Sequence, residues 1–185
     1  MIRHDYVAVR ESSLLLIIDF QTAMLKAIGG WEEVAAGTKQ LIRAAGVLGI
    51  PIVLTEQYKK GLGGTHPEIL ETISSPKVFS KEHFSVCLEP DFLPAVQSYD
   101  KSKIVVTGTE THVCVLQTCL DLIQAGFQVH LASDAVASRK KENRDIAISL
   151  LRQAGAIITS VEIVIFEWAK KANTDEFRKI LPIVK

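Results

Sequence analysis

Short apolar runs alternate with segments of helical apolar spacing along most of this chain. Buried or half-buried strands are predicted at 14–18, 50–54, 78–80, 104–107, 128–132 and 156–159. Helices are predicted at 31–48, 91–98, 111–125, 141–154 and 175–181. Because strands and helices alternate, right-handed crossovers should join parallel strands. The pattern predicts an α/β fold, a doubly wound three-layer αβα domain with a six-stranded, mainly parallel sheet.

Composition agrees with this fold and excludes some classes of partner. The chain has 185 residues, which suits a single domain spanning 1–185. Hydrophobic residues make up 48% and the mean hydropathy is +0.21, as expected when helices cover both faces of a parallel sheet. The 21 basic residues balance the 21 acidic ones, so the charge favours no general attraction to nucleic acid or an anionic membrane.

The apolar stretches and the cysteines indicate the cellular compartment of the protein. No apolar stretch approaches the ~20 residues that span a bilayer, and the first residues lack the apolar core of a signal peptide. Cys87, Cys114 and Cys119 make an odd number without the spacing of a disulfide framework. We therefore expect a cytoplasmic protein with free thiols.

Cys114 is the first candidate for chemistry. It follows a predicted buried strand at 104–107 and a glycine, Gly108, and it lies near the first turn of the predicted helix at 111–125. Free backbone N–H groups and the helix dipole favour a thiolate at such a position, and open α/β sheets bind ligands at this edge. The alternative is a small buried hydrophobic side chain, which is the common fate of a free cysteine.

Two other polar residues also lie where predicted strands end. Asp19 ends the apolar run 14–18, and Lys81 follows the short extended segment 78–80. Asp19 could instead cap the next helix, and Lys81 could be a solvated lysine. Since the carboxyl ends of parallel strands share one edge of the sheet, we expect both side chains to lie near Cys114.

With these residues in place, the chain resembles the isochorismatase-like cysteine hydrolases, which include nicotinamidases, N-carbamoylsarcosine amidohydrolases and isochorismatases. The resemblance runs from about residue 12 to about residue 168. It is carried by four stretches, which are 16–21, 81–85, 108–114 and 126–135. The loop 55–63 resembles the subgroup called isochorismatase domain-containing proteins most closely.

The chemistry of these residues and the resemblance together predict a mechanism. A neutral thiol attacks a carbonyl poorly and needs a base or a lowered pKa. Asp19 can take the Cys114 proton, and Lys81 can stabilise the negative charges of both groups. The resemblance implies that Cys114 attacks an amide, carbamoyl or ureido carbonyl of a small molecule and that water releases the thioester. It also implies an oxyanion hole of the Glu110 and Cys114 backbone N–H groups, and a cis peptide between Thr109 and Glu110.

Departures from the family pattern concern cofactor and substrate. Nicotinamidases of the family usually bind a metal through an Asp and histidines after the second strand, where this chain offers Glu56 and His66. One Glu and one His do not make a convincing metal site, so we expect no metal and no other cofactor, and nicotinamide is disfavoured. True isochorismatases lack the cysteine, so Cys114 argues against vinyl-ether chemistry.

Three further residues are candidates for the substrate pocket. His83 and His112 flank the predicted site, and Tyr58 belongs to the glycine-rich loop. Each also has an ordinary structural explanation, as a surface or core histidine or as a tyrosine packed under its loop.

Two other functions compete with the hydrolase. A catalytically idle relative could serve as an oligomeric binding or scaffold protein with the same fold. A flavodoxin-like nucleotide binder would need a glycine-rich phosphate loop after the first strand, where residues 19–22 read Asp-Phe-Gln-Thr. We expect a small-molecule substrate, no nucleic-acid or membrane partner, and a homo-oligomer, either a dimer or a tetramer.

Overall fold

The computed structural model describes residues 3–185, and a six-stranded sheet forms its centre. The strands are β1 Ser13–Ile18, β2 Ile52–Gln57, β3 Lys77–Lys81, β4 Lys103–Thr109, β5 Gln128–Ala137 and β6 Ile157–Thr159. They lie in the order β3-β2-β1-β4-β5-β6, and every pairing between neighbours is parallel. The order in which successive strands are added reverses between β1 and β4, which is the topological switch point of the sheet. The prediction of a doubly wound α/β fold is confirmed, and the sheet is wholly parallel.

Helices cover both faces of this sheet. They are α1 Thr22–Leu25, α2 Trp31–Leu48, α3 Lys59–Leu62, α4 Pro67–Leu70, α5 Phe92–Gln97, α6 Leu116–Gln124, α7 Lys141–Gln153, α8 Val161–Ala169 and α9 Asp175–Val184. One hydrophobic core lies under α2, α8 and α9, and the other lies under α5, α6 and α7. Among the described residues, no helix has both the length and the apolar character to cross a bilayer.

Strand β1 explains why the apolar runs are continuous rather than alternating. All six of its side chains are buried. Leu14, Leu16 and Ile18 belong to one core, whereas Leu15 and Ile17 belong to the other. Successive side chains of a strand point to opposite faces, so a sheet covered on both sides needs apolar residues at every position.

Two element boundaries differ from the prediction in ways that matter for the site. Strand β2 begins after Pro51 and continues to Gln57, so residues 55–57 are strand rather than loop. The predicted helix at 111–125 is divided into a π-helical turn, Thr111–Val115, and α6. The three cysteines are free, as predicted.

His130 makes the stability of the sheet sensitive to pH. Its ring on β5 is fully buried, and burial, followed by the charge of Lys103, lowers the pKa of His130 from 6.5 to about 4. The unfolded chain binds a proton here below its pKa of 6.5, whereas the folded chain does not until near pH 4. The unfolded state therefore holds more protons in this window, and stability falls as the pH falls. We expect the free energy of unfolding to drop by roughly 2–3 kcal/mol between about pH 7 and about pH 4.5.

Urea unfolding at the two pH values measures this drop. A His130→Leu variant should lose this part of the pH dependence, whereas His4→Gln, at an exposed histidine, should retain it. An unchanged pH dependence in His130→Leu would contradict the assignment to His130.

Candidate active site

Four buried polar side chains lie at the carboxyl edge of four adjacent strands. Asp19 follows β1, Gln57 ends β2, Lys81 ends β3, and Cys114 lies in the π-helical turn after β4. None of the four is more than 8% exposed. The reversal of winding between β1 and β4 brings these strand ends together. The three residues predicted from the sequence meet here, and Gln57 joins them.

Asp19 and Lys81 form a fully buried ion pair. The Oδ2 atom of Asp19 lies 2.7 Å from Nζ of Lys81, and both side chains are 0% exposed. Its Oδ1 accepts a hydrogen bond of 2.7 Å from Oγ1 of Thr55. Among the described residues Oδ2 makes no hydrogen bond of good geometry, and its contact with Lys81 is an ion pair. One lone pair of this oxygen is therefore free to take a proton.

The ammonium group of Lys81 has an acceptor for each of its three hydrogens. It forms an ion pair with Asp19 and donates to Oε1 of Gln57 and to the carbonyls of Phe84 at 3.0 Å and His83 at 3.4 Å. Since a lysine has three donors, none is left for a substrate. Lys81 thus acts through its charge and its position.

Gln57, which no sequence pattern marked as a site residue, links the lysine to the thiol. Its Oε1 accepts from Lys81 and from the Cys114 thiol at 3.9 Å, while its Nε2 donates to the Glu82 carbonyl at 2.8 Å. Gln21 holds its backbone with two hydrogen bonds, of 2.8 Å and 3.0 Å. The missed signal was a polar residue at the true end of β2, on the same edge as Asp19.

Burial and a neighbouring negative charge keep Cys114 protonated. Burial, followed by the Asp19 carboxylate, raises the pKa of Cys114 to about 12, while Lys81 acts in the opposite direction. The sequence had suggested that the start of a helix favours a thiolate, but burial outweighs that effect here. At neutral pH the site therefore holds a thiol that needs a base.

The predicted cis peptide between Thr109 and Glu110 is wrong. No peptide bond within the described residues is cis, and Glu110 turns the chain by a left-handed backbone, with φ of 53° and ψ of 57°. This conformation costs about 1–2 kcal/mol, less than the 3–4 kcal/mol of a cis peptide without proline. The backbone N–H of Glu110 immediately precedes the π-helical turn, and that of Cys114 lies within the turn. The role of these two groups as an oxyanion hole stays a prediction.

A cavity of about 390 Å³ opens above Cys114. Side chains from the α1 and α3 regions, Phe84 and Val113 form apolar walls, and Gln57 and Cys114 are its polar floor. Glu110 and Arg139 are also in the wall, where Nε of Arg139 donates to Oε2 of Glu110 at 3.2 Å. Sequence reasoning missed this pair because its members are 29 residues apart.

The three predicted pocket residues lie outside this cavity, so that prediction is corrected. Tyr58 lines a separate cleft behind Lys81 and is 53% exposed. His83 points to the surface, where its Nδ1 lies 3.0 Å from Oε1 of Glu89. His112 lines a groove against α7, and its Nδ1 is 3.0 Å from Oγ of Ser138. Glu89 thus holds His83 at the surface, whereas Nε2 of His112 lies 3.7 Å from Oε2 of Glu110, a residue of the cavity wall.

Glu56 and His66, the potential metal ligands, have other partners. Oε1 of Glu56 accepts from the N–H and hydroxyl of Thr65, and its Oε2 lies 2.8 Å from Nζ of Lys59. His66 accepts a hydrogen bond from the N–H of Glu68 at the start of α4. Within residues 3–185, no group of three His, Cys, Asp or Glu side chains is arranged to hold a metal ion.

The fold and the site define an α/β protein with a wholly parallel sheet. At the switch point of this sheet, a thiol lies beside a carboxylate–ammonium pair. The chain belongs to the isochorismatase family, whose isochorismatase domain matches residues 13–163. The resemblance seen in the sequence is thereby confirmed, and the fold is that of a hydrolase family.

Relatives and solved structures agree with this placement. Isochorismatase family protein 1B of Dictyostelium discoideum is 39% identical over 189 aligned positions, which cover 100% of this chain and 92% of that protein. Isochorismatase domain-containing protein 2 of Xenopus laevis is 35% identical, with 94% and 84% covered, which supports the predicted subgroup. The structure of MAR1 ribonuclease from Caenorhabditis elegans matches with a TM-score of 0.90 and 34% identity, covering 95% of this chain and 91% of that one.

Proposed function

We propose that this protein is a metal-independent cysteine hydrolase that cleaves a C–N bond in an amide, carbamoyl or ureido group of a small molecule. One observation carries the proposal. The charges of Asp19 and Lys81 both shift the pKa of the buried Cys114 thiol, and this thiol lines a cavity large enough for a small substrate. Membership of a hydrolase family supports the same conclusion at a coarser level.

Acylation begins with proton transfer from the thiol. Oδ2 of Asp19 accepts the proton as the sulfur of Cys114 attacks the carbonyl carbon. The C–S bond forms and the carbonyl oxygen becomes an oxyanion, which the backbone N–H groups of Glu110 and Cys114 would stabilise. When the oxyanion collapses, the C–N bond breaks and the leaving nitrogen takes the proton from Asp19. Ammonia or an amine departs, and a thioester remains.

Deacylation repeats the sequence with water as the nucleophile. Asp19 takes a proton from the water as its oxygen attacks the thioester carbonyl, and the second oxyanion collapses with cleavage of the C–S bond. The departing sulfur takes that proton back from Asp19, which restores the thiol and the carboxylate. Lys81 takes no part in these proton transfers, and its ammonium group stays beside Asp19 with hydrogen bonds to Gln57 and to the Phe84 carbonyl.

Asp19→Asn tests this assignment with two readouts that should move in opposite directions. The substitution removes the negative charge that raises the pKa of Cys114 and leaves Lys81 without its counter-ion. The pKa of the thiol should therefore fall, and alkylation of Cys114 by iodoacetamide should become faster. Ammonia release from small primary amides should fall by about 10²–10⁴-fold, since no group is left to carry the proton.

The control for the alkylation readout is Asp121→Asn. Asp121 raises the pKa of Cys87, after the larger effect of burial, so its loss should affect Cys87 and leave Cys114 unchanged. Peptide mapping after alkylation distinguishes the cysteines. Asp19→Asn with unchanged alkylation of Cys114 and unchanged ammonia release would refute the proposed role of Asp19.

Nuclease activity has less support. The name of the Caenorhabditis elegans structure states ribonuclease activity for that protein. Binding of RNA phosphates would need a cationic surface, but this chain has 21 basic and 21 acidic residues. The cation in the wall of the Cys114 cavity, Arg139, is already paired with Glu110.

The second candidate function is that of a catalytically idle scaffold protein, and exposed apolar side chains on α6 and α7 favour it. Leu120 of α6 and Ile146 and Leu150 of α7 are each more than a third exposed. Association of copies would cover such side chains, so a homo-oligomer, either a dimer or a tetramer, is part of both proposals. A scaffold alone would not need the buried Asp19–Lys81 pair, because buried ion pairs are weak contributors to stability.

A further inference from the structure

The cavity above Cys114 has walls that are almost wholly apolar. Six side chains form them: Ala23, Met24, Ala27, Leu62, Phe84 and Val113. None of the six offers a side-chain hydrogen bond to an oxygen or nitrogen of a ligand. Its volume of about 390 Å³ is at the lower end of the roughly 300–1,000 Å³ of small-molecule sites. An apolar group of a few carbons fits such walls, and its burial would supply the binding energy.

The two charged residues of the wall neutralise each other. Glu110 accepts two hydrogen bonds from Arg139, from the backbone N–H at 3.1 Å and from Nε at 3.2 Å. The Glu110 side chain is 8% exposed, whereas that of Arg139 is 60% exposed, so the anion of the pair is the buried member. A substrate carboxylate near Arg139 would also be repelled by Glu110, and a substrate ammonium near Glu110 would also be repelled by Arg139.

We propose that the substrate is an uncharged amide with a small apolar acyl group, an inference that rests on the proposed hydrolase function. The scissile carbonyl would face Cys114 at the polar floor, and the acyl group would lie against Met24, Leu62 and Phe84. A charged acyl group would lose part of its hydration against these apolar walls, and each charge of the Glu110–Arg139 pair would weaken its attraction to the other, which is unfavourable. The charge of the substrate, rather than its length, is therefore the main determinant of selection.

The test compares three amides of matched length that differ in charge at the far end: pentanamide, succinamate and 4-aminobutanamide. We expect kcat/KM for pentanamide to exceed that of each charged amide by about 30-fold or more, which corresponds to about 2 kcal/mol. A charged amide that is cleaved as well as pentanamide, or better, would overturn the proposal.

Activated esters separate failure of this inference from failure of the proposed function. Pentanoyl, 3-sulfopropanoyl and 4-(trimethylammonio)butanoyl groups, whose charged ends do not cyclise onto the ester, are supplied as p-nitrophenyl esters, and acylation of Cys114 is followed by intact mass. Acylation in the expected order supports the inference even if turnover of the amides is slow. Acylation in the reverse order overturns the inference alone. No acylation of Cys114 by any of the three esters overturns the proposed function itself.

Two charge-changing variants and one neutral control test whether the preference depends on charge in the cavity wall. Met24→Lys places a cation on the half-buried wall of the cavity and should shift the succinamate-to-pentanamide ratio of kcat/KM by at least about tenfold toward succinamate. Met24→Leu keeps the wall apolar and should keep the order of preference. Arg139→Gln removes the guanidinium cation beside Glu110, while the backbone N–H of residue 139 still donates to the carboxylate, and should shift preference toward 4-aminobutanamide. If it instead removes a preference for succinamate, Arg139 is a carboxylate-binding residue and the inference is wrong.

Discussion

Cys114→Ala is expected to abolish C–N hydrolysis, with a loss in kcat on the order of 10⁴-fold or more. The alanine has no nucleophile, and no other cysteine lines the described cavity. Ammonia release from pentanamide measures the loss, and intact mass should show no acylated protein after reaction with the p-nitrophenyl ester. The fold should persist, because a single buried sulfur is removed at a cost of about 1 kcal/mol.

Cys119→Ala is the matched control for this prediction. Cys119 lies five residues further along, in α6, and is as deeply buried, but it makes no contact with Asp19, Lys81 or the cavity. Its replacement should lower stability to a similar extent and leave hydrolysis unchanged. Substantial hydrolysis by Cys114→Ala would mean that another residue is the nucleophile. An equal loss of hydrolysis in both variants would mean that lower stability, and not loss of the nucleophile, explains the effect.

The predicted part of the site rests on a signal that is local in the sequence. Continuous apolar runs end at Asp19 and close to Cys114, and a short extended segment ends just before Lys81. In a parallel sheet these ends share one edge, so topology alone is enough to bring them together. The ion pair of 2.7 Å between Asp19 and Lys81 agrees with that reasoning.

The parts that the sequence did not reveal depend on contacts between distant segments. The apolar run stops at Leu54 and therefore predicts a loop at Gln57, although pairing with β3 extends β2 by three polar residues. Helix α8 was not predicted because exposed Ile163 and Phe166 add apolar side chains to its outer face. They hide the helical spacing of its buried residues, Val161, Val164, Ile165 and Trp168. The pair of Glu110 and Arg139 joins the turn after β4 to the segment after β5, and no local pattern encodes it.

Gly108→Ala is expected to damage both the sheet and the site, although the residue carries no chemistry. Gly108 has a φ of 145° and lies opposite Ile18 in the pairing of β4 with β1. A Cβ at this position would lie 2.2 Å from the carbonyl oxygen of Ile18 and 2.8 Å from its backbone nitrogen. Backbone atoms in a paired strand cannot yield as a flexible side chain does, so β1 and β4 would have to separate. We expect the free energy of unfolding to fall by on the order of 3 kcal/mol or more.

The same substitution should lower activity per folded molecule, because Ile18 precedes Asp19. The Thr109 hydroxyl donates to the Asp19 carbonyl at 2.6 Å, so a shift of β4 would also displace the proposed base. Gly46→Ala is the control, since Gly46 lies within α2 with open space around it and an alanine there should stabilise the helix by about 0.5–1 kcal/mol. Urea unfolding and ammonia release from pentanamide measure the two effects. Wild-type stability in Gly108→Ala would contradict the close approach of β1 and β4 that places an added Cβ 2.2 Å from Ile18. The close pairing of these strands would then not be what positions Asp19.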